Sequence, residues 1–188
     1  MSSSRDNSPT LEFGSKNLFF RELRNKDAHD IFRIYKDPEV MGFDYSEPIK
    51  SMDDAIQLIE RSKEFNKRSD HINWGVELVA EKRIIGTCGF KHWDRASKHA
   101  EIGGNLSSDM WGNGYGKEGL DALLHFGFVT LGLNKVCAGT NTENLKAINI
   151  MRAFGFKEDG RLREHQLLNG VYTDVRLYSL LRKEYSYN

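Results

Sequence analysis

The stretch Trp111-Gly112-Asn113-Gly114-Tyr115-Gly116-Lys117-Glu118-Gly119 sets three glycines at alternate positions, and an amphipathic run follows it. Apolar residues then fall at Leu120, Leu123, Leu124, Phe128 and Leu131, the spacing of one helix face. A glycine loop that opens a helix has a physical use. The first backbone N–H groups of a helix lack intrahelical acceptors, and the positive end of the helix dipole lies behind them. An anion such as a diphosphate suits that position, and glycines let it approach the backbone. The same pattern can also serve only to turn a chain, so neighbouring sequence has to decide. No Gly-Lys-Ser/Thr is present, which excludes a P-loop. No Gly-x-Gly-x-x-Gly follows a first strand, which excludes the dinucleotide fingerprint.

The loop resembles the pyrophosphate-binding segment of the GNAT acetyltransferase superfamily, whose pattern is Gln/Arg-x-x-Gly-x-Gly/Ala at the mouth of a long helix. This chain reads Trp111-x-x-Gly114-x-Gly116. Trp in the first place puts one side-chain contact in doubt and leaves the backbone amides. The stretch from Asn144 to Phe156 resembles the family's later Asn-x-x-Ser/Ala helix that ends in Gly-Phe. The tail, Glu158-Asp-Gly160 and then Asn169-Gly-Val-Tyr-Thr-Asp-Val-Arg-Leu-Tyr178, resembles the branch of ribosomal-protein N-terminal acetyltransferases. Spermidine acetyltransferases carry a similar tail. The resemblance runs from about Asn17 to Tyr185. It implies an α/β (α+β) fold: a mixed central sheet of about seven strands flanked by about four helices. The fourth and fifth strands, near Glu101 and Val136, are expected to splay and admit the pantetheine arm of acetyl-CoA.

A chain of 188 residues fits one domain with a substantial core. Residues 1–10 contain almost nothing to bury and read as a disordered leader; 11–188 read as one domain. Lys plus Arg equals Asp plus Glu, so no charge excess favours nucleic acid or a membrane surface. No apolar run approaches the length of a membrane span, and no signal peptide is visible. Cys88 and Cys137 lack metal-ligand spacing, so no metal is expected; they fit packed, reduced thiols in a cytoplasmic protein. A monomer or a homodimer is expected.

Along the chain, Leu18–Leu23 reads as a first strand. Asp27 is predicted to cap a helix that turns Ile31, Ile34 and Tyr35 inward, and Asp37-Pro38 to stop it. The loop from Val40 to Pro48 carries Phe43 and Tyr45; in the family the corresponding loop overhangs the acceptor site. Ser51 and Asp54 look like a capping box, before a helix with Met52, Ala55, Ile56 and Ile59 on one face. Three strands follow, over 73–80, 83–93 and 99–106, the first two joined by the Glu81-Lys82 turn. The last strands span about 157–164 and 171–181, with Asn169-Gly170 as a hairpin turn. The helix after Asn144 is expected to bury Ile150, Met151 and Phe154.

The resemblance implies a reaction in which coenzyme A brings an activated acetyl group, so the protein need supply no nucleophile. The coenzyme's pyrophosphate is assigned to the segment Trp111, Gly112, Asn113, Gly114, Tyr115, Gly116 and Lys117. Asn144 either caps its helix or holds the pantetheine amide, and one Asn can do both. The attacking amine must lose a proton. In the family a Glu on the strand leading into the phosphate loop often takes it, which makes Glu101 the first candidate base. Phe90, Trp93 and Trp111 are the expected sources of the burial that raises such a carboxyl. Glu164 is the second candidate, because related enzymes can carry a catalytic glutamate on the strand after Gly160; the gapless register places Gln166 there instead. His165 is of a residue type suited to a base. Tyr172 and Asp174 belong to the tail signature and read as structural. The family's Ser in the later helix is Ala147 here, so solvent is expected to reprotonate the departing thiolate.

For the acceptor, deprotonating an α-amine at pH 7 costs about 1 kcal/mol and a lysine-type amine about 4.6 kcal/mol. A protein or peptide N-terminal α-amine, or a small amine, is therefore the leading expectation. Polyamine or antibiotic acetylation is the alternative, and a non-catalytic coenzyme A-binding module is a third. The acids that could serve a polyamine, Asp53, Asp54, Glu60 and Glu64, are interleaved with Arg61, Lys63, Lys67 and Arg68.

Overall fold

The computed structural model describes residues 12–44, 46–68, 70–168 and 170–186. The predicted leader over 1–10, Tyr45 of the early loop and Asn169 of the hairpin turn lie outside the described residues. One mixed sheet runs in the order β1 (Phe13–Gly14), β2 (Leu18–Arg21), β3 (Ile72–Leu78), β4 (Arg83–Asp94), β5 (His99–Leu106), β6 (Lys135–Asn141), β8 (Val171–Leu181) and β7 (Lys157–Leu168). The helices are α1 (Ala28–Tyr35), α2 (Pro38–Met41), α3 (Met52–Asn66), α4 (Tyr115–His125) and α5 (Leu145–Ala153). The described residues form eight strands and five α-helices, in line with the about seven and about four expected. The additions are the two-residue β1 on the edge and the single-turn α2.

Alternation along the strands gives the sheet two apolar faces. One packs Leu123, Leu124 and Phe128 from α4 and its continuation, and Ile148 and Met151 from α5, against Trp74, Phe90, Ala100 and Val136. The other packs Ile31 and Ile34 of α1, and Ala55 and Ile59 of α3, against Ile84. Beyond His125 the helix widens into a π turn over Phe126–Thr130. A Cβ on Gly127 would stand 2.8 Å from the fully buried Phe90 ring, so only glycine lets this turn lie flat on the sheet.

The capping box forms as expected: Asp54 N–H donates to Ser51 Oγ at 3.1 Å, and Ser51 N–H to Asp54 Oδ2 at 2.9 Å. Three expectations change. Asp27 does not cap α1. Its carboxylate accepts from Arg24 N–H at 2.7 Å and from the Arg21 guanidinium at 2.8 and 2.9 Å. Ile56 is exposed, while Ala55 and Ile59 are buried, because the contact seam with the sheet follows the next position round the helix. In α5, Ile148 and Met151 are buried, whereas Ile150 and Phe154 are half-buried. Asp37 both ends α1 and opens α2, accepting from Glu39 N–H at 2.9 Å ahead of Pro38, where a missing N–H costs nothing.

β5 and β6 are parallel and pair only at His99↔Lys135, Ala100↔Val136 and Glu101↔Cys137. Beyond that point β5 stays with β4, and β6 stays with β8. The two strands therefore part, as expected. The facing backbone groups of 102–106 and 138–141 have no strand partner across the gap.

Candidate active site

The gap opens toward the mouth of α4. Gly112 and Gly114 adopt φ of +78° and +85°, the left-handed region that glycine alone occupies at no steric cost. Lys117 N–H and Glu118 N–H bond back to the Gly114 carbonyl. The N–H groups of 112–116 have no acceptor among the described residues, and a Cβ on Gly112 or Gly114 would meet nothing within 4 Å. Free amides and open space thus lie together at this helix N-terminus. Free amides, open space and parted strands together fit a pyrophosphate with a pantetheine arm.

The side chains around this cradle divide the work. Trp111 donates from Nε1 to the Leu106 carbonyl at 2.9 Å, which ties the loop to the end of β5. Its ring carries the Lys146 ammonium at 3.8 Å from the centroid. Lys146 escaped the sequence reading; its cation reaches the loop because α5 starts beside α4. Asn113 and Lys117 are exposed and Tyr115 is half-buried. Glu118 anchors α4 to the front of β2, accepting from Ser15 Oγ, Asn17 N–H and Asn17 Nδ2 at 2.6–2.8 Å. Burial pulls its carboxyl up, and the bonds from Asn17 and Ser15 outweigh that and hold it below the ordinary value. Asn144 caps α5, its Oδ1 accepting from Ala147 N–H at 3.2 Å. The cap leaves Nδ2 as a donor.

Glu101 is the last residue of β5 that pairs with β6. Its Oε1 lies 2.9 Å from Lys91 Nζ, and its Oε2 3.2 Å from His92 Nδ1. The expected aromatic shelter is absent. Phe90 points to the opposite face, into the core, Trp93 lies under the Arg95 guanidinium, and Trp111 braces the loop. On the side of the sheet shared by Glu101, Gly103 and Asn105, a cavity of about 380 Å³ lies between the strands, α1 and α3. That is at the small end of the roughly 300–1,000 Å³ of ligand pockets. Tyr35 and Thr87 meet there at 2.5 Å, and Asn105 Nδ2 donates to Asp44 Oδ2 at 2.8 Å. Arg61 and Lys91 are the charged residues in the lining among the described residues.

Glu164 is not brought to this place. It is exposed, on β7, three strands from β5, about 14 Å at the usual strand spacing. Its backbone takes φ +47° at a break in register between Leu162 and Gln166. His165 is exposed beside it. Asp174 holds this irregularity together: it accepts from Glu164 N–H at 2.8 Å and pairs with Arg161. Those two donors, the N–H first, pull its carboxyl down. Tyr172 is exposed. Burial pushes the Cys88 thiol up to about 12 and raises Cys137 in the same direction, so neither is primed as a nucleophile. No helix among the described residues is long and apolar enough to cross a membrane.

The profile of the acetyltransferase (GNAT) domain matches residues 17–157. The chain belongs to the GNAT family of acetyltransferases. It is 30% identical to an uncharacterised N-acetyltransferase, YoaA of Bacillus subtilis, over 93% of this chain and 97% of the other. It is 27% identical to a spermidine N(1)-acetyltransferase of Vibrio cholerae, over 89% and 95%. Among solved structures, Mycobacterium smegmatis RimJ in complex with CoA-disulfide matches with a TM-score of 0.81 and 18% identity, over 89% and 83%. As a GNAT acetyltransferase, the chain is an enzyme that moves an acetyl group from acetyl-CoA to an amine.

Proposed function

We propose that this acetyltransferase acylates an α-amine, at a peptide N-terminus or in a small amine, with Glu101 drawing the proton off directly or through a relay. One observation carries the reading. Glu101 stands where β5 and β6 part, with the unpaired stretch of both strands beyond it and the cavity floor on the same strand. An acceptor in that cavity and a thioester in that gap come together beside this carboxylate. Gly112 to Gly116 hold the pyrophosphate through their amides, Lys117 and Lys146 add charge, and Asn144 Nδ2 donates to the arm. No side-chain hydroxyl sits at Ala147, so solvent returns a proton to the thiolate, which a thiol of ordinary pKa tolerates.

The spermidine acetyltransferase among the relatives favours a second reading, a polyamine acceptor. The charges in the cavity oppose it. Its charged lining residues are the cations Arg61 and Lys91, and Glu101 is already engaged by Lys91 and His92. A polycation gains little there, since like charges raise its energy. Incubation with acetyl-CoA and a panel of peptides, amino acids, polyamines and aminoglycosides, followed by mass spectrometry, tests the reading. An acetylated α-amine is expected. Product from polyamines alone overturns it, and tight coenzyme binding without any product points to a bare binding module.

Two variants sharpen the test. Glu101→Gln is expected to lower turnover at least tenfold, and up to the about 10²–10⁴-fold typical of proton-transfer catalysis, with acetyl-CoA affinity nearly unchanged by calorimetry. Lys146→Ala is expected to weaken coenzyme binding about two- to fivefold, the ~0.5–1 kcal/mol of an exposed charge contact. That difference shrinks as salt is raised; an affinity equal to wild type at low salt removes Lys146 from the site.

A further inference from the structure

We infer that the proton is taken by His92 Nε2, with Glu101 as the carboxylate that orients the ring; the inference rests on the transferase reading above. Three observations converge on the pair. The first is the contact itself, His92 Nδ1 to Glu101 Oε2 at 3.2 Å. A proton on Nδ1 that donates to the carboxylate leaves Nε2 as the lone-pair nitrogen. The second is occupancy of the carboxylate. Oε1 is bound by Lys91 and Oε2 by His92, so each Glu101 oxygen already holds a donor and an arriving ammonium competes with Lys91 and His92 for the carboxylate. The His92 side chain is 68% exposed, and its ring is reachable from solvent.

The third observation is the backbone. His92 has φ +52° inside β4, where the register with β5 breaks between Lys91 and Asp94. Lys82 and Lys98 share the left-handed conformation in the turns that join strands; Glu164 shares it inside β7, where Asp174 braces the break, whereas the break at His92 carries its ring to the Glu101 carboxylate. A non-glycine residue held this way costs on the order of 1–3 kcal/mol, and such residues cluster at functional sites. In a regular strand His92 and Lys91 point to opposite faces. The break instead brings both to one carboxylate. Around the ring stand Glu101 on β5, Lys91 on β4, and His71 ahead of β3, at 6.0 Å between ring centroids, with Asp70 behind it.

The chemistry balances without another reactant. The ammonium of the acceptor gives one proton to His92 Nε2, and the imidazolium is held against the Glu101 carboxylate. The neutral amine attacks the thioester carbonyl carbon and forms the C–N bond. The C–S bond breaks, the nitrogen loses its second proton to solvent, and the thiolate takes one back. His92 then releases its proton to water. An imidazole suits the task because it is the side-chain type that changes charge between pH 5 and 8.

Glycine accepts φ +52° without strain, so His92→Gly removes the ring and spares the strand. Turnover of an acceptor that wild type acetylates is expected to fall about 100-fold, inside the range of general-base catalysis, with coenzyme Kd unchanged. Added imidazole is expected to restore at least tenfold, and the acidic limb of the pH–rate profile should follow imidazole rather than the protein. His92→Gly with Glu101→Gln is expected to be no slower than His92→Gly, as for groups acting as a unit. His92→Asn, also tolerant of positive φ, repeats the measurement if the glycine loosens the strand. Turnover within threefold of wild type in both His92 variants overturns the inference, as does a loss that imidazole leaves unrepaired. A wild-type protein that acetylates no amine fails the transferase reading itself, and an active wild type with indifferent His92 variants fails this inference alone.

Discussion

Leucine at Gly116 is expected to lower acetyl-CoA affinity about 10²–10⁴-fold while the protein stays folded. Gly116 lies in the first turn of α4, and a Cβ built there would stand 3.8 Å from Leu106 at the end of β5 and 3.8 Å from Ile150 of α5. These are ordinary contact distances to side chains, so a Cβ fits there without displacing backbone. The rest of the leucine fills the mouth through which a coenzyme must reach the gap between β5 and β6. Excluding the diphosphate forfeits at least two charge-assisted hydrogen bonds from free amides, about 1.5–3 kcal/mol each. The resulting ~3–6 kcal/mol is about two to four decades in Kd at 1.4 kcal/mol per decade. Gly114 is a poorer target. Its φ of +85° strains any branched residue, so a lost affinity there mixes sterics with backbone distortion. Calorimetry on a Gly116→Leu protein with a wild-type circular dichroism spectrum decides the matter. Unchanged affinity places the pyrophosphate somewhere other than this loop.

The glycine loop was legible because its physics is local: free amides and a dipole follow from any helix that begins after glycines. The parting of β5 and β6 was expected only through the family resemblance; nothing in their residues states where pairing stops. The surroundings of Glu101 were legible from neither source. Phe90, Trp93 and Trp111 are close in sequence, and alternation along β4 sends Phe90 to the other face. Lys-His-Trp-Asp from 91 to 94 reads as plain strand, and only the fold reveals that the backbone turns over at His92. Glu164 was a candidate by strand position, but the sheet order sets β8 and β6 between β7 and β5. Lys146 was missed because its partner, Trp111, stands on a different helix entrance. Periodicity finds the apolar face of α3 yet misplaces Ile56, since the exact seam depends on what the helix packs against.

Removing the Asp27 carboxylate is expected to cost about 3 kcal/mol of stability, and the reason again lies in tertiary contact. Arg21 and Asp27 are both buried, and their side chains meet at 2.8 Å. Glu77 holds the third guanidinium nitrogen at 2.6 Å. Breaking a buried pair by deleting one partner typically costs about 3–5 kcal/mol because the other charge is left uncompensated. The low end applies here, since Glu77 still faces Arg21 in Asp27→Ala. The same deletion frees Arg24 N–H and loosens the turn into α1, which carries Ile31 and Tyr35 to the cavity wall. Burial pulls the Asp27 carboxyl up, but the bonds from Arg21 and Arg24 outweigh it and leave it below the ordinary value. A lowered folded-state value means the pair's contribution is complete above the unfolded carboxyl range, about pH 3.9, and is lost as pH falls through the folded one. At pH 7, Asp27→Ala should therefore melt about 6–12 °C below wild type, at roughly 2–4 °C per kcal/mol for a domain of this size. Below about pH 4 the two melting curves should converge. A constant difference from pH 7 to pH 3 would mean that packing of the turn, and not the charge on Asp27, holds α1 in place.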